Sequence, residues 1–168
     1  MSRHFLIDGY NVIRQISSLD DKSLEGGRAW LVRFIQDNGP QGSLRNPVTV
    51  VFDGQEGISF SDFPSGVKVV FSRGESADDV IKRLIEESST PRDIVLVTDD
   101  RDLLYFCRTL GAEIWSVDRF LTQGKKTGQR LRSGVARSRS PKVEGKAIPR
   151  VFEDRVNREL KALWLKKK

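Results

Sequence analysis

The sequence contains one cysteine and one histidine, and these two shortages exclude several classes of protein. Cys107 has no second thiol with which to form a disulfide, so a disulfide-stapled scaffold is not expected. Because Cys107 lies in a Leu- and Phe-rich stretch, we expect a buried, inert thiol and not a nucleophile. His4 alone cannot supply a histidine pair, which excludes an acid–base ribonuclease of that kind. No Ser-His-Asp or Cys-His arrangement can be assembled either.

Long apolar runs and glycine-rich phosphate-binding motifs are also missing. No apolar run approaches the roughly 18 residues of a membrane span, and the first residues lead directly into a strand-like segment. We therefore expect neither a signal peptide nor a membrane span. Gly9 lacks the companion glycines of a dinucleotide-binding turn, and no phosphate-cradling loop ends in Gly-Lys-Ser/Thr, so no nucleotide cofactor is expected. The cysteine content favours a reduced, cytoplasmic protein.

Charge is distributed unevenly along the 168 residues. Residues 1–118 carry 13 Lys and Arg against 19 Asp and Glu, a net charge of −6. Residues 119–168 carry 16 against 4, a net charge of +12. An acidic body with a basic tail indicates that the tail binds a polyanion while the body does something different. A tail that is basic only for solubility is the alternative.

Short apolar, β-branched segments alternate with segments of helical spacing. The strand-like segments are residues 4–7, 48–52, 67–71, 94–98 and 113–117. Helical spacing of apolar residues is found in residues 24–37, 77–88 and 101–110. This alternation predicts an α/β domain over residues 1–121, with a central parallel sheet flanked by helices. The polar, glycine-rich loop at residues 54–65 is interpreted as a mobile flap.

Residues 122–150 are rich in Gly, Ser, Lys and Arg and almost devoid of apolar residues, which predicts a basic flexible segment outside the packed core. Ten basic residues lie between positions 119 and 150, against Glu144 alone. Helical spacing returns at residues 152–165, so we expect an amphipathic C-terminal helix within residues 151–168. That helix could dock on its own domain or on an external partner.

Aspartates stand where the expected strands end. In a parallel α/β sheet, ligands and catalysis collect at the carboxyl ends of the strands, and three strands end in Asp. A fourth acidic pair opens the helix after the third strand. Singly, each residue could be a turn residue or a helix cap. Together their mutual repulsion calls for a cation. The acidic residues of this rim are Asp8, Asp53, Asp78, Asp79, Asp99 and Asp102.

Oxygen ligands without paired Cys or His select a hard cation, Mg²⁺ or Mn²⁺, over zinc. Such a cluster suits phosphodiester hydrolysis, because bound metals orient and deprotonate water and stabilise the charge on the phosphate. Asn11 and Thr98 are the neutral polar neighbours of the rim. Asn11 could hold a metal-bound water or a scissile phosphate, or cap the segment that follows. Arg101 could pair with the acids or meet a substrate phosphate.

Four strings in the right order carry a resemblance to a known family: LIDGYNVI (residues 6–13), VVFDG (50–54), ESADDVI (75–81) and VTDDRD (97–102). Together they resemble the YacP-like NYN domain of the PIN-like nuclease superfamily over residues 4–120, and the basic stretch resembles YacP-like tails. The resemblance implies a PIN-like/NYN fold and a metal-dependent endoribonuclease. Its catalytic pocket would comprise Asp8, Asp53, Asp78, Asp79 and Asp99, supported by Asn11, Thr98 and Asp102. The implied ligands of Mg²⁺ or Mn²⁺ are Asp8, Asp78, Asp79 and Asp99.

At least one YacP-like protein is an mRNA endonuclease that works in association with the ribosome. The resemblance therefore implies RNA, in particular mRNA, and the ribosome as partners in the bacterial cytoplasm. We expect phosphates of RNA to be bound by Lys125, Lys126, Arg130, Arg132, Arg137, Arg139, Lys142 and Lys146.

Two other functions compete with this interpretation. A non-catalytic RNA- or ribosome-binding module would also use a basic tail, although carboxylates near RNA would weaken its binding. A Mg²⁺-dependent phosphatase would need a second Asp two residues after its nucleophile, and Asp8 is followed by Gly9 and Tyr10.

Overall fold

A sheet of five parallel strands forms the centre of the structure, a computed structural model that describes residues 2–16, 23–54 and 66–138. In chain order the strands are β1 His4–Asp8, β2 Val48–Phe52, β3 Val67–Phe71, β4 Ile94–Val97 and β5 Glu113–Trp115. Their order across the sheet is β3-β2-β1-β4-β5, and every neighbouring pair is parallel. The predicted α/β class with a central parallel sheet is thereby confirmed.

Five α-helices flank the sheet: α1 Gly9–Arg14, α2 Leu24–Asn38, α3 Ala77–Glu86, α4 Arg101–Thr109 and α5 Val117–Ser138. A short 3-10 helix, Pro91–Asp93, precedes β4. Alternate strand residues point to opposite faces, so Phe5 packs with α1, α2 and α5, whereas Leu6 packs with α3 and α4. The helices thus cover both faces, as a parallel sheet requires.

Cys107 lies on the buried side of α4 and has no exposed surface. Burial raises the pKa of its thiol to about 11, which agrees with the expected inert role. In the part of the chain that the structure describes, no helix combines the length and apolar character needed to cross a membrane.

Helix α5 differs from the expectation of a flexible segment, because residues 122–138 are helical. Phe120, Gly124 and Gly128 recur every four residues and are buried. A Cβ at Gly124 would lie 2.5 Å from the Phe34 ring, and one at Gly128 would overlap the Asn38 side chain, so the glycines let α5 lie close to α2. The spacing of apolar side chains does not predict this contact, because Gly124 and Gly128 have no side chain.

The expected domain limit at residue 121 consequently falls inside a helix. The chain divides into two units, Met1–Gly134 and Val135–Lys168. The rest of the expected flexible segment (residues 139–150), the C-terminal helix at 151–168 and the flap residues 55–65 lie outside the described residues.

Gly9 is required by the way α1 starts. The helix follows β1 without any connecting residue, so position 9 lies against β2. A Cβ there would overlap the ring of Phe52, which is fully buried, and would lie 2.9 Å from the carbonyl oxygen of Val51.

Replacing Gly9 by Ala should therefore destabilise the protein by about 1–3 kcal/mol, the usual cost of overpacking a well-packed core. Chemical denaturation of the full chain measures this cost. Arg14→Ala, an exposed change in the same helix, is the control and should stay within about 0.5 kcal/mol of wild type. Equal stability of the two variants would contradict the tight packing of α1 on β2.

Candidate active site

The candidate site lies at the carboxyl edge of the sheet, between β1 and β4. The strand order reverses there, because the chain moves outward from β1 to β2 and β3 and later returns to β4 on the other side. In open α/β sheets the usual ligand site lies outside the carboxyl ends of the strands at such a switch point. Asp8 ends β1, and Thr98, Asp99 and Asp100 directly follow β4.

Asp8 is the most buried carboxylate of this edge, with 7% of its surface exposed. Its Oδ1 accepts a hydrogen bond from the backbone N–H of Asn11 at 3.1 Å, which caps α1. Its Oδ2 accepts one from the hydroxyl of Thr98 at 3.2 Å. Burial nevertheless raises the pKa of Asp8 to about 6, and the negative charges of Asp78 and Asp53 raise it further. Asp8 is therefore held firmly in surroundings that disfavour its charge.

Asp78 approaches Asp8 from the first turn of α3. Partial burial raises the pKa of Asp78, and the next largest contribution is the negative charge of Asp100. Asp53 and Asp79 add to this effect, while Lys82, one turn further along α3, opposes it. Asp8, Asp53, Asp78 and Asp100 thus form one group of interacting charges, which we call the acidic cluster.

Asp100 is the member of the acidic cluster that the sequence analysis left out of the site. Its Oδ1 accepts hydrogen bonds from the backbone N–H groups of Asp102 and Leu103, both at 3.0 Å, and so caps α4. Its own N–H donates to the Thr98 hydroxyl at 3.1 Å. The Oδ2 atom of Asp100 makes no hydrogen bond to any residue the structure describes, which leaves it free for a ligand.

Asp53, like Asp100, belongs to the acidic cluster and also bonds the start of a helix. Its Oδ1 accepts from the backbone N–H of Ala77 at 2.6 Å and from the Ser72 hydroxyl at 3.5 Å. Because Ala77 is the first residue of α3, this bond anchors the helical turn that carries Asp78. Asp53 thereby connects the end of β2 to the start of α3.

The other predicted acidic residues of the rim make different contacts. Asp79 is exposed, and its carboxylate accepts from the Ser76 hydroxyl at 2.7 Å while its N–H donates back at 3.1 Å. Ser76 is the N-cap residue of α3, and its hydroxyl lowers the pKa of Asp79. Asp99 accepts from the Gln15 amide at 2.7 Å and lies 3.4 Å from the Val117 N–H at the start of α5. Asp102 is exposed beside Asp100.

Thr98 and Asn11 connect the parts of the site. Thr98 is 1% exposed and its hydroxyl bonds both Asp8 and the backbone of Asp100. The side-chain oxygen of Asn11 accepts from the N–H of Asp99 at 2.9 Å. Asn11 therefore holds α1 to the loop after β4, a contact that the sequence analysis did not consider.

Arg28 on α2 is a further residue of this edge that the sequence analysis missed. Only 7% of it is exposed, and its guanidinium donates to the Tyr10 hydroxyl, with Nε at 2.9 Å, and to the Asp53 carbonyl at 3.4 Å. The guanidinium carbon also lies 5.0 Å from the centre of the Phe71 ring, a cation–π contact. Arg28 shares the apolar stripe of α2 with Leu31 and Ile35, and a charge on an apolar stripe was the available signal.

The donor set of the acidic cluster fits a hard cation, since it consists of carboxylates without Cys or His. Within residues 2–16, 23–54 and 66–138, no three His, Cys, Asp or Glu side chains lie close enough together to form a ready metal site. Mg²⁺ retains several waters and is often bound through only one or two carboxylates. The chemistry of the cluster is thus compatible with a largely hydrated ion.

The predicted RNA-binding residues are only partly described. Lys125, Lys126 and Arg130 are exposed on α5. Arg132 and Arg137 belong to the same helix, but their side chains lie outside what the structure describes, as do Arg139, Lys142 and Lys146 altogether.

The raised pKa of Asp8 predicts a pH-dependent stability. Below about pH 4 the carboxyl is protonated in both the folded and the unfolded chain, and above about pH 6 the folded chain must carry the buried charge. The ordinary pKa is 3.8, so the free energy of unfolding should fall by roughly 3 kcal/mol as the pH rises through this window. Asp8→Asn keeps the Oδ1 acceptor and removes the charge.

We therefore expect Asp8→Asn to be more stable than wild type at pH 7.5 in EDTA, with the gain shrinking toward pH 4. Urea denaturation at both pH values measures it, and Asp102→Asn controls for the removal of an exposed carboxylate from the same rim. A gain of the same size at both pH values would contradict the buried charge.

Comparisons with known proteins support one family. The sequence profile of the YacP-like NYN domain matches residues 5–164, and NYN domains belong to the PIN-like nuclease superfamily. No curated protein shows a significant match. A crystal structure of Rae1 (YacP) from Bacillus subtilis is similar, with a TM-score of 0.68, 24% identity and coverage of 99% of this chain and 96% of that one. A mutant of Rae1 gives a TM-score of 0.66 and 25% identity over 80% of this chain and 82% of that one. Because the profile spans nearly the whole sequence and the fold agrees, the chain belongs to the YacP-like NYN domain family.

Proposed function

We propose that this chain is a divalent-metal-dependent endoribonuclease that hydrolyses RNA phosphodiester bonds at the carboxyl edge of its sheet. The observation that carries the proposal is the acidic cluster, in which Asp8, Asp78 and Asp100 come from three separate elements. The charge of Asp78 raises the pKa of Asp8, and the charge of Asp100 raises the pKa of Asp78. Clustered carboxylates with raised pKa values in a crevice are typical of a functional site. Membership of a family in the PIN-like nuclease superfamily supports an RNA-cleaving hydrolase.

Asp8, Asp78 and Asp100 are the residues that would hold the cation, one or two of them directly and the others through its bound waters, and oxygen ligands favour Mg²⁺ or Mn²⁺. PIN-like nucleases typically use divalent metal ions. A divalent ion bound there would orient and deprotonate water and neutralise charge on the phosphate. In this proposal Asp100 takes the place of the sequence-based ligands Asp79 and Asp99, because its charge acts more strongly on Asp78 than that of any other carboxylate and its Oδ2 makes no hydrogen bond within the described residues.

The residues around the acidic cluster keep its carboxylates in place. The Asn11 N–H and the Thr98 hydroxyl each bond one oxygen of Asp8, so its side chain cannot rotate without losing a bond. Asp53 anchors the first turn of α3, and Asp100 anchors the first turn of α4. Such preorganisation lowers the cost of assembling the charged site around a phosphate.

RNA would be held by the exposed face of α5. Lys126 and Arg130 are four residues apart and so share one face, while the buried residues Phe120, Gly124 and Gly128 occupy the other. The helix begins at Val117, whose N–H lies against Asp99 at the carboxyl edge of the sheet. A strand bound along α5 would therefore reach the acidic cluster.

The proposal extends to mRNA in association with the ribosome, in the bacterial cytoplasm. Its support is the resemblance of the sequence motifs to YacP-like chains and the net charge of +12 over residues 119–168, which suits ribosomal RNA as well as a free transcript.

Variants of three aspartates provide a sharp test of the acidic cluster. Asp78→Asn and Asp100→Asn should each lower the cleavage rate of single-stranded RNA by orders of magnitude, because a ligand of the cation is lost, with little loss of stability. Asp79→Asn should lower the melting temperature only slightly, through the weakened bond to Ser76, and leave the rate near that of wild type. Rates with Mg²⁺, Mn²⁺ and EDTA, together with melting curves, measure both effects.

Cleavage that persists in EDTA would contradict the metal dependence, and near-normal rates in Asp78→Asn and Asp100→Asn would contradict the site. Tight RNA binding without cleavage by the wild type would favour the binding-module alternative. Hydrolysis of a simple phosphate monoester would favour the phosphatase alternative.

The face of α5 predicts a salt dependence that can be measured separately. Replacing Lys126 and Arg130 by Gln should flatten the slope of log affinity against log salt by roughly 1.4, since each phosphate contact on single strands contributes about 0.7. Replacing Arg45 and Arg92, which are exposed near the amino ends of β2 and β4, removes the same charge elsewhere and is the matched control. Equal slopes in the two double variants would exclude α5 as the RNA-binding face.

A further inference from the structure

The outer face of α4 combines an exposed aromatic ring with two guanidinium groups. Arg101, Tyr105 and Arg108 are four and three residues apart, which places them on the same side of the helix. The buried residues Leu103 and Cys107 occupy the opposite side. All three residues of the outer row are exposed, and Tyr105 is 73% exposed. We call this row the α4 stripe.

Packing does not account for the α4 stripe. Among the large hydrophobic residues that are exposed in the described part of the chain, Tyr105 is the single aromatic one. Neither Arg101 nor Arg108 forms a side-chain hydrogen bond or an ion pair with another residue in the described ranges. An exposed ring flanked by two cations with free donors offers a ligand both a stacking surface and a phosphate-binding charge on each side.

From this arrangement we propose that the α4 stripe is a substrate subsite, in which one base of single-stranded RNA stacks on Tyr105 and its flanking phosphates contact Arg101 and Arg108. Proteins that hold single strands without reading the sequence combine stacking rings with cationic groups in this way. The proposal rests on the ribonuclease function argued above. Protein interfaces also use exposed Tyr and Arg, so the choice of RNA as the ligand rests on the position of the stripe beside the acidic cluster.

The position of the α4 stripe relative to the acidic cluster supports this assignment. Asp100 caps α4, and Tyr105 lies five residues further on, about 7.5 Å along the helix axis. A base on Tyr105 would therefore lie close to the cleaved bond.

Helices α4 and α5 both begin at the carboxyl edge, and they pack on opposite faces of the sheet. A strand that crosses this edge over the acidic cluster would meet α5 on one side and α4 on the other. The two basic surfaces would then hold RNA on either side of the bond that is cut, and the base on Tyr105 would lie on the side away from α5.

The test uses the full chain and a short single-stranded RNA whose cleavage position has been mapped. A matched set of RNAs is prepared in which each RNA lacks the base at one position. Together these positions cover both sides of the cleaved bond. For the wild-type protein, one of these RNAs, which lacks the base that stacks on Tyr105, should have a KM about five- to hundredfold higher than the intact RNA. This is the range expected for the loss of one stacking contact. Tyr105→Ala should raise KM on the intact RNA by a similar factor and show no further penalty when that base is missing.

Three further variants separate stacking from other roles. Tyr105→Phe and Tyr105→Trp keep the ring and should retain the wild-type KM, with kcat unchanged. Arg101→Gln and Arg108→Gln should each flatten the salt slope of binding by about 0.7. Leu44→Ala removes a side chain that is 98% exposed far along the chain from α4, and it should behave as wild type.

The subsite is overturned if Tyr105→Ala cleaves intact RNA with a wild-type KM, or if every missing base costs the same in Tyr105→Ala as in wild type. It is also overturned if Tyr105→Ala lowers only the cleavage of ribosome-bound mRNA, because the stripe would then contact a ribosomal component. If the wild type cleaves no RNA at all, the ribonuclease proposal fails, and fluorescence anisotropy with the same set of RNAs still decides whether Tyr105 stacks a base.

Discussion

The structure depends on one buried carboxylate placed where three elements meet. Asp8 ends β1, caps α1 and bonds Thr98, whose hydroxyl in turn accepts the N–H of Asp100 at the start of α4. This chain of hydrogen bonds links the central strand, the first helix and the loop after β4. The arrangement holds a negative charge where burial disfavours it, so the fold is less stable at neutral pH than at a pH where Asp8 is protonated. A cation that binds the charge would recover that stability.

The carboxylates of the acidic cluster act as helix caps and as candidate ligands at the same time. Asp8 and Asp100 cap α1 and α4, and Asp53 bonds the first N–H of α3. Each cap is made through Oδ1. Because the N-terminal end of a helix carries a partial positive charge, three such ends at one edge offset part of the repulsion among the acids. The structural and the chemical interpretation of these aspartates are therefore complementary.

The five strands, their parallel arrangement and helices α2, α3 and α4 were predictable, because their apolar residues follow regular spacings. Helix α1 is too short to show a period, and α5 packs through glycines, which hydrophobicity does not count. Asp99 and Asp100 are neighbours in the sequence, and only the turn after β4 decides which one approaches Asp78. Two local signals in the sequence bear on the choice between these aspartates. Ser76 three residues before Asp79 is a capping-box pattern, and Asp100 precedes the helical spacing as an N-cap does.

The direct passage of β1 into α1 also limits how this protein can change in length. With no residue between Asp8 and Gly9 to absorb an insertion, an added residue would rotate the helix, displace Asn11 from the Asp99 backbone and push a side chain into Phe52. The connections that lead into the amino ends of β2 and β4 lie at the opposite edge of the sheet from Asp8 and Asn11. In related chains, length differences should therefore accumulate at the amino edge of the sheet, while the spacing of the first motif stays fixed to the residue.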